Sequence, residues 1–420
     1  MAFSQALSGL SAAATNLDVI GNNIANSETV GFKSSETQFA DLYASSQAAG
    51  IGVQVASISQ DFSTGSLETT GRDLDVAISG EGFLRFADST GQVVYSRNGQ
   101  LNVDADGFIV NTQGAQLTGY AGERVTGEPV VLQVPTAPLA ASATQDNLAN
   151  SIYGAQVSIN LDSEAVETNT TFDPMDPTSY DYASAMTVYD SLGSEHVVTS
   201  FYTKTGSNTW DVQHVMDFAG KSAEYQSQVN AGSTAPTVNF DTQVEQISFG
   251  SNGQLSSDYT QTPKVYALSN GAEDMNFSID LTGSTQFAND YEVTSLSQNG
   301  YTSGSLVGIS IGDDGRVVGS YSNELTQTLG TIALANFAND QGLKPNGDNS
   351  WLATADSGEP LVGVPGEGVF GDVVSGVVEA SNVDLTTELV DLIIAQRNYQ
   401  SNAQTISVQD EVQQTVINLR

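Results

Sequence analysis

Cysteine is absent from the 420 residues, which removes disulfides, thiolate metal sites and Cys nucleophiles together. Bases are scarce: 12 Lys and Arg stand against 49 Asp and Glu, for a formal charge of −37. Such a balance argues against nucleic acid or an anionic membrane as partner. No apolar run approaches the roughly 18 residues that span a bilayer. The N-terminus also lacks the basic region and apolar core of a secretory signal, so export, if it occurs, is expected by another route and membrane insertion is not expected.

What the chain does have is a matched pair of amphipathic ends. Phe3, Leu7, Leu10, Ala14, Leu17, Gly21 and Ile24 fall at alternating spacings of four and three, the period that keeps one helix stripe on a partner. Leu385, Leu389, Leu392, Gln396, Tyr399, Ala403 and Ile406 repeat it near the other end. The apolar positions then shift to Val408, Val412, Val416 and Leu419, so the last helix is expected to show more than one contact face. Among the first 32 residues only Asp18 and Glu28 ionise, and no base precedes Lys33. An almost uncharged, Ala-, Ser- and Asn-rich helix suits close packing, either within one monomer or against other copies. Asn22, Asn23 and Asn26 precede Gly31 and Phe32 and are expected to stop the first helix or to bridge to a neighbour.

Between the ends the period changes to two. Ile51, Val53 and Val55 alternate, as do Leu74, Val76 and Ile78, then Val157, Ile159 and Leu161, then Trp210, Val212, His214 and Met216, then Phe277, Ile279 and Leu281. Each reads as a half-buried strand. Asn98-Gly99, Asn252-Gly253, Asn299-Gly300 and Asn346-Gly347 offer the positive φ that tight hairpins require. A chain of this length exceeds one hydrophobic core. The expected fold class is multidomain α+β: paired N- and C-terminal coiled-coil-like helices with discontinuous antiparallel β domains between them. Residues 1–32 and 376–420 form the helical core domain and 33–71 with 363–375 an extended linker. Residues 72–145 with 285–362 form an inner β domain, and 146–284 an inserted outer β domain.

Three motifs suggest chemistry and fail on context. Gly308 to Gly312 matches G-x-S-x-G, but Ile309 and Ile311 alternate as a strand and Asp313-Asp314-Gly315 follows as a turn, so no helix receives Ser310. The two histidines, His196 and His214, lie inside strand-like segments. Gly366 to Gly371 matches G-x-G-x-x-G but leads into Val373-Val374 rather than a helix. Asn102, Asp104, Asp106 and Gly107 open like a Ca²⁺ loop, yet Gln113 stands where a bidentate Glu is needed. Carboxylate pairs of the acidic central region could in principle serve glycoside hydrolysis. No catalytic residue, cofactor or metal site is expected, and the protein is read as no enzyme.

The run Leu17-Asp18-Val19-Ile20-Gly21-Asn22-Asn23-Ile24-Ala25-Asn26-Ser27-Glu28-Thr29-Val30-Gly31-Phe32-Lys33 resembles the N-terminal signature of the bacterial flagellar rod and hook family of axial proteins. Glu379 to Leu385, Glu388-Leu389 and Ala395 to Gln400 resemble its C-terminal half. Tyr95 to Gly99, Gln116 to Tyr120, Gln298 to Tyr301 and Leu334 to Asn339 are more similar to the hook members than to the shorter distal rod members. The resemblance implies a structural subunit exported through the flagellar type III apparatus without a cleavable signal. It also implies self-assembly, outside the cell, into a curved helical tube that transmits motor torque from rod to filament in flagellum-dependent motility. By resemblance its partners are further copies of itself, the hook cap protein, the distal rod protein, the hook–filament junction protein and the hook-length ruler. On that reading Phe3, Leu7, Leu10, Leu17, Ile24, Leu385, Leu389, Leu392, Tyr399, Ile406, Val412, Val416 and Leu419 are subunit-interface residues. The rival class is a secreted β-rich adhesin or carbohydrate-binding protein.

Overall fold

A computed structural model describes residues 2–42, 52–122, 127–147, 152–168, 170–217, 244–256, 259, 263–268 and 270–418. Among the described residues the chain has two long helices, one at each end, and a β-rich middle. It divides into two compact units, one of residues 1–136, 306–320 and 324–420, the other of 137–305 and 321–323.

In the first unit, α1 (Ala2–Ala25) and α2 (Leu385–Asn418) are the terminal helices. Asp384 caps α2: its carboxylate accepts from the backbone N–H of Thr386 and Thr387 at 2.8 and 3.3 Å, taking up donors that a helix start leaves free. Those bonds hold the Asp384 carboxyl below its usual pKa. Residues 33–71, expected as an extended linker, instead contain an antiparallel hairpin of β1 (Ser35–Leu42) and β2 (Gly52–Gln60). The alternation at Val53 and Val55 marks β2, whereas β1 is mostly polar and alternates weakly in hydropathy. A third strand, β3 (Leu67–Thr69), pairs with Val377–Glu379, and β4 (Val76–Ser79) pairs with Asp372–Ser375.

Around them Phe83–Ala87, Val93–Ser96, Gln116–Ala121, Thr326–Ile332 and Ser350–Leu352 form an antiparallel sheet. Val76, Ile78, Leu84, Phe86, Leu101, Leu117, Ile332 and Val373 form its main core. On the other side Phe62, Phe83 and Trp351 meet edge to face at 5.5 to 5.7 Å between ring centroids, the arrangement aromatic quadrupoles favour. Of the four Asn-Gly pairs, Gly253 and Gly347 take positive φ, at 73° and 84°. Gly99 and Gly300 do not. They are needed because the backbones of Val76 and Thr144 leave no room for a Cβ.

Among the described residues the second unit holds two four-stranded sheets and a two-stranded one, Lys264–Tyr266 with Met275–Phe277, around one core. Tyr182–Tyr189, Glu195–Gly206, Thr209–Met216 and Glu245–Ser248 run antiparallel in sequence order. Ala155–Asp162 centres the other four-stranded sheet and buries Ala155, Val157, Ile159 and Leu161 against Val198, Tyr202, Trp210 and Val212. Three expectations differ here. Ala155–Asp162 pairs in parallel with Ile279–Asp280 and Thr285–Phe287, not only antiparallel. The long excursion from 163 to 278 supplies the crossover that parallel strands need. Residues 285–305, assigned by pattern to the inner domain, also belong to this unit, since Glu292–Gln298 pairs with Ala155–Asp162; the division falls near 306. Phe277, Ile279 and Leu281 do not share one strand, because the Ser278 N–H and hydroxyl both donate to the Asp146 carboxylate.

His196 in this unit lies between two carboxylates, with Nδ1 2.7 Å from Asp217 and Nε2 3.2 Å from Asp190. Burial opposes the charged ring, but the hydrogen bonds to Asp217 and Asp190 outweigh it and raise the pKa above the ordinary 6.5. A group whose folded pKa is raised stabilises fully below its unfolded value, and that contribution fades as pH rises through the folded one. Thermal melts of this unit should therefore lose stability from about pH 6.5 upward. His196→Gln should remove that slope, and an unchanged slope would contradict the ion-pair reading.

Candidate assembly surface on the terminal helices

The helices run antiparallel, with Gly9 facing Asn402 and Asn23 facing Glu388. The face of α1 that is buried within the subunit carries Ala6, Ala12, Ala13, Ile20 and Asn23. Small residues allow the close approach: a Cβ on Gly9 would come within 2.9 Å of the Asn402 amide. On α2 the matching stripe is Glu388, Leu392, Ala395, Asn402, Ile406 and Gln409, of which Ala395 alone is buried among the described side chains of the helix. This seam is offset from the two stripes read from the sequence: of the α2 stripe, Leu392, Ala403 and Ile406 are half-buried and the others exposed. Sequence periodicity marks the most apolar line on each helix, whereas the subunit uses the line with the smallest side chains.

The apolar line is left over. Leu7, Leu385, Leu389, Tyr399, Val408 and Val412 are exposed, as are Val390, Ile393 and Ile394, which the sequence stripes did not include. Leu389 is 46% exposed and Val412 51%. Leu10, Leu17 and Ile24 are half-buried beside the seam. The side chains of Phe3 and Val416, and the whole of Leu419, lie outside the described residues. A lone amphipathic helix is marginal in water, and of the described side chains of this 34-residue helix only Ala395 is buried.

At the end of α1 the three asparagines divide their work. Asn22 and Asn26 bond to each other, with the Asn26 amide donating to Asn22 O at 3.0 Å and Asn22 Oδ1 at 3.1 Å, which closes the helix. Asn23 is 1% exposed. It donates to Ser35 O and Glu388 Oε1, both at 2.8 Å, and accepts from Ser35 N–H at 3.0 Å. One amide thus ties α1, β1 and α2 together. Asn23→Ala should cost about 1–3 kcal/mol by stranding these partners. The soluble subunit would show it as a lower Tm with faster amide exchange at the start of α2, and an unchanged Tm would refute the tie.

Gly31 takes φ 71°, with Asn98 N only 2.6 Å from where a Cβ would stand, and its N–H donates to Glu379 O at 2.8 Å. Phe32 is buried beside it. This turn delivers an ionic node that no local pattern announces. Glu379, fully buried, takes Lys33 Nζ on Oε1 at 2.6 Å and Arg97 Nη1 on Oε2 at 3.5 Å, while Arg97 also lies over the Phe83 ring at 5.2 Å. Burial pulls Lys33 below its ordinary pKa despite the opposing pull of Glu379.

The tempting motifs have structural roles. Ser310 lies in the strand Leu306–Ile311. Asp104 caps a turn, accepting from the N–H of Asp106 and Phe108 at 3.0 and 2.7 Å. Ser200 Oγ lies 2.8 Å from His214 Nδ1, and His214 Nε2 lies 3.8 Å from Glu245. All three are buried in the core of the second unit, out of a substrate's reach.

Comparison with known proteins agrees along the whole chain. Family models match residues 4–33 (flagella basal body rod protein), 77–169 (flagellar hook protein FlgE/F/G D1 domain), 160–301 (flagellar basal body protein FlaE D2 domain) and 374–419 (flagellar basal body rod FlgEFG protein C-terminal). The chain is 46% identical over 430 residues to flagellar hook protein FlgE of Escherichia coli (strain K12), covering 100% of both. It is 47% identical over 425 residues to that of Salmonella typhimurium, again covering 100% of both. With that of Borreliella burgdorferi it shares 28% identity over 453 residues, covering 99% of this chain and 98% of the other. A chain with these helical ends and this full-length identity belongs to the bacterial flagellar hook protein family and is a structural subunit of the hook.

Proposed function

We propose that this hook subunit polymerises through the apolar lines that its terminal helices leave exposed, and that the resulting tube is the flexible joint carrying motor torque from rod to filament. The observation that carries the reading is α2, which leaves Leu385, Leu389, Ile393, Ile394 and Val412 unburied in the subunit. Apolar area is worth about 25 cal/mol per Å² when removed from water. Many copies closing on one another recover it without a membrane or a ligand. Paired helices in a coiled-coil-like inner wall, with the β units outside, are the arrangement this implies. Export without a cleavable signal, and contact with cap, distal rod, junction and ruler proteins, belong to the same proposal.

A distal rod role is less favoured, since the match to hook proteins is full-length and includes the D2 domain at 160–301. A secreted adhesin has no supporting observation. Purified full-length protein, concentrated and viewed by electron microscopy, should form tubes. A persistent monomer under conditions that leave both units folded would overturn the reading.

A further inference from the structure

Arg397 is the sole base within either terminal helix, over residues 2–25 and 385–418. It is exposed, and among the described residues no carboxylate pairs with it. The positions three and four away are Ile393, Ile394, Gln400 and Ser401, so no acid lies at the spacing that pairs along a helix. It stands two residues from buried Ala395, about 200° around the helix, and so projects away from the seam with α1. Its flanking positions on that face, Val390 and Ile393, are exposed and apolar.

A surface of the opposite kind lies on the seam side. Between α1, β1, β2 and the start of α2 is a groove of about 420 Å³ whose lining includes Glu36, Asp61, Glu388 and Asp391 but no base, with exposed Phe39 and Ile394 at its lip. Burial, and the like charges of Asp391 and Glu36, hold the Glu388 carboxyl above its ordinary pKa. Arg397 is not among the residues that line this groove in its own chain, and Asp391 lies six residues back, near the Ala395 side of the helix.

We infer that Arg397 of one copy docks in the acidic groove of a neighbouring copy, pairing with Asp391 and Glu36 while Val390 and Ile393 meet Phe39 and Ile394. The inference rests on the hook-subunit reading and gives it a specific contact. Donor and acceptor surfaces are different patches, so the contact is heterologous and repeats into an open helical array instead of closing a two-fold dimer. Guanidinium suits this role, since its planar fork can meet two carboxylates. An ionic contact fixes which neighbour is chosen and in what register more than it adds raw adhesion.

The test is charge reversal in the full-length protein, read as the critical concentration for polymerisation by sedimentation with tubes checked by electron microscopy. Arg397→Glu and Asp391→Arg should each raise that concentration by about tenfold or more. The chain carrying Arg397→Glu together with Asp391→Arg should return close to the parent value. Unchanged critical concentrations in the single variants overturn the pairing, and so does a combined variant as defective as either single one. Loss of apolar side chains from α2 separates the two ideas. If Leu389→Ala with Ile393→Ala blocks assembly while Arg397→Glu assembles normally, the apolar seam stands and the pairing falls.

Discussion

Replacing Leu389 and Ile393 together with alanine is expected to stop polymerisation while leaving the melting of the free subunit unchanged. Both side chains are about half exposed in the subunit, so their loss opens no internal cavity and costs the monomer little. On the proposed assembly each meets a neighbouring copy, where fully burying a side chain of this size is worth about 1.5–3 kcal/mol. Because each is already about half buried, assembly recovers about half of that, so the two losses amount to roughly 1.5–3 kcal/mol per subunit, or about a tenfold to hundredfold rise in critical concentration at ~1.4 kcal/mol per decade. Sedimentation measures it. Normal tubes at the parent concentration, or a monomer whose Tm drops by several degrees, would show that these residues serve the subunit and not the assembly.

The second large effect belongs to the interior. Glu379→Gln should destabilise the first unit by about 3–5 kcal/mol, the usual consequence of leaving a buried charge without its partner. Here two cations, Lys33 and Arg97, converge on one carboxylate, and all three side chains are at most 2% exposed. The carboxylate also accepts from Gly65 N–H at 2.9 Å, and Lys33 Nζ donates to Ser63 O at 2.5 Å. The node therefore fixes the chain leaving α1, the segment before β3 and the strand Val377–Glu379 in one place. Removing it should loosen both routes into the terminal helices, so polymer yield falls together with stability. Urea denaturation of the soluble subunit gives the number. A loss below about 1 kcal/mol would mean the node is dispensable.

How much of this was legible in the residues follows from what each signal measures. Helix ends and turns are local, so α1, α2 and the Asn22–Asn26 stop could be read from spacing and side-chain chemistry. Ser310 and the Asp104 turn could be set aside as sites because strand alternation surrounds them. The pairing partners could not be read, because they depend on side chains far apart in sequence. Nothing near Glu379 says that Lys33, 346 positions earlier, will neutralise it. Val53 and Val55 mark β2 by their alternation, but β1 is polar on most of its surface, so the hairpin they form is not legible. The true seam between the helices was missed because alanine and glycine, which permit the closest approach, contribute least to hydropathy. The parallel pairing of Ala155–Asp162 was missed because alternation looks the same in parallel and antiparallel strands.

The absence of cysteine provides the most direct test of the central claim, that the exposed apolar line of α2 is the assembly surface. A single cysteine at Leu389 and, as a control, one at Val166, which is 82% exposed, can each be labelled by a thiol reagent with no background from the rest of the chain. Labelling rates are compared between monomer and polymer. The expected result is that position 389 reacts readily in the monomer and at least about tenfold more slowly in the polymer, while the control is protected far less. Equal labelling of position 389 in monomer and polymer would contradict it.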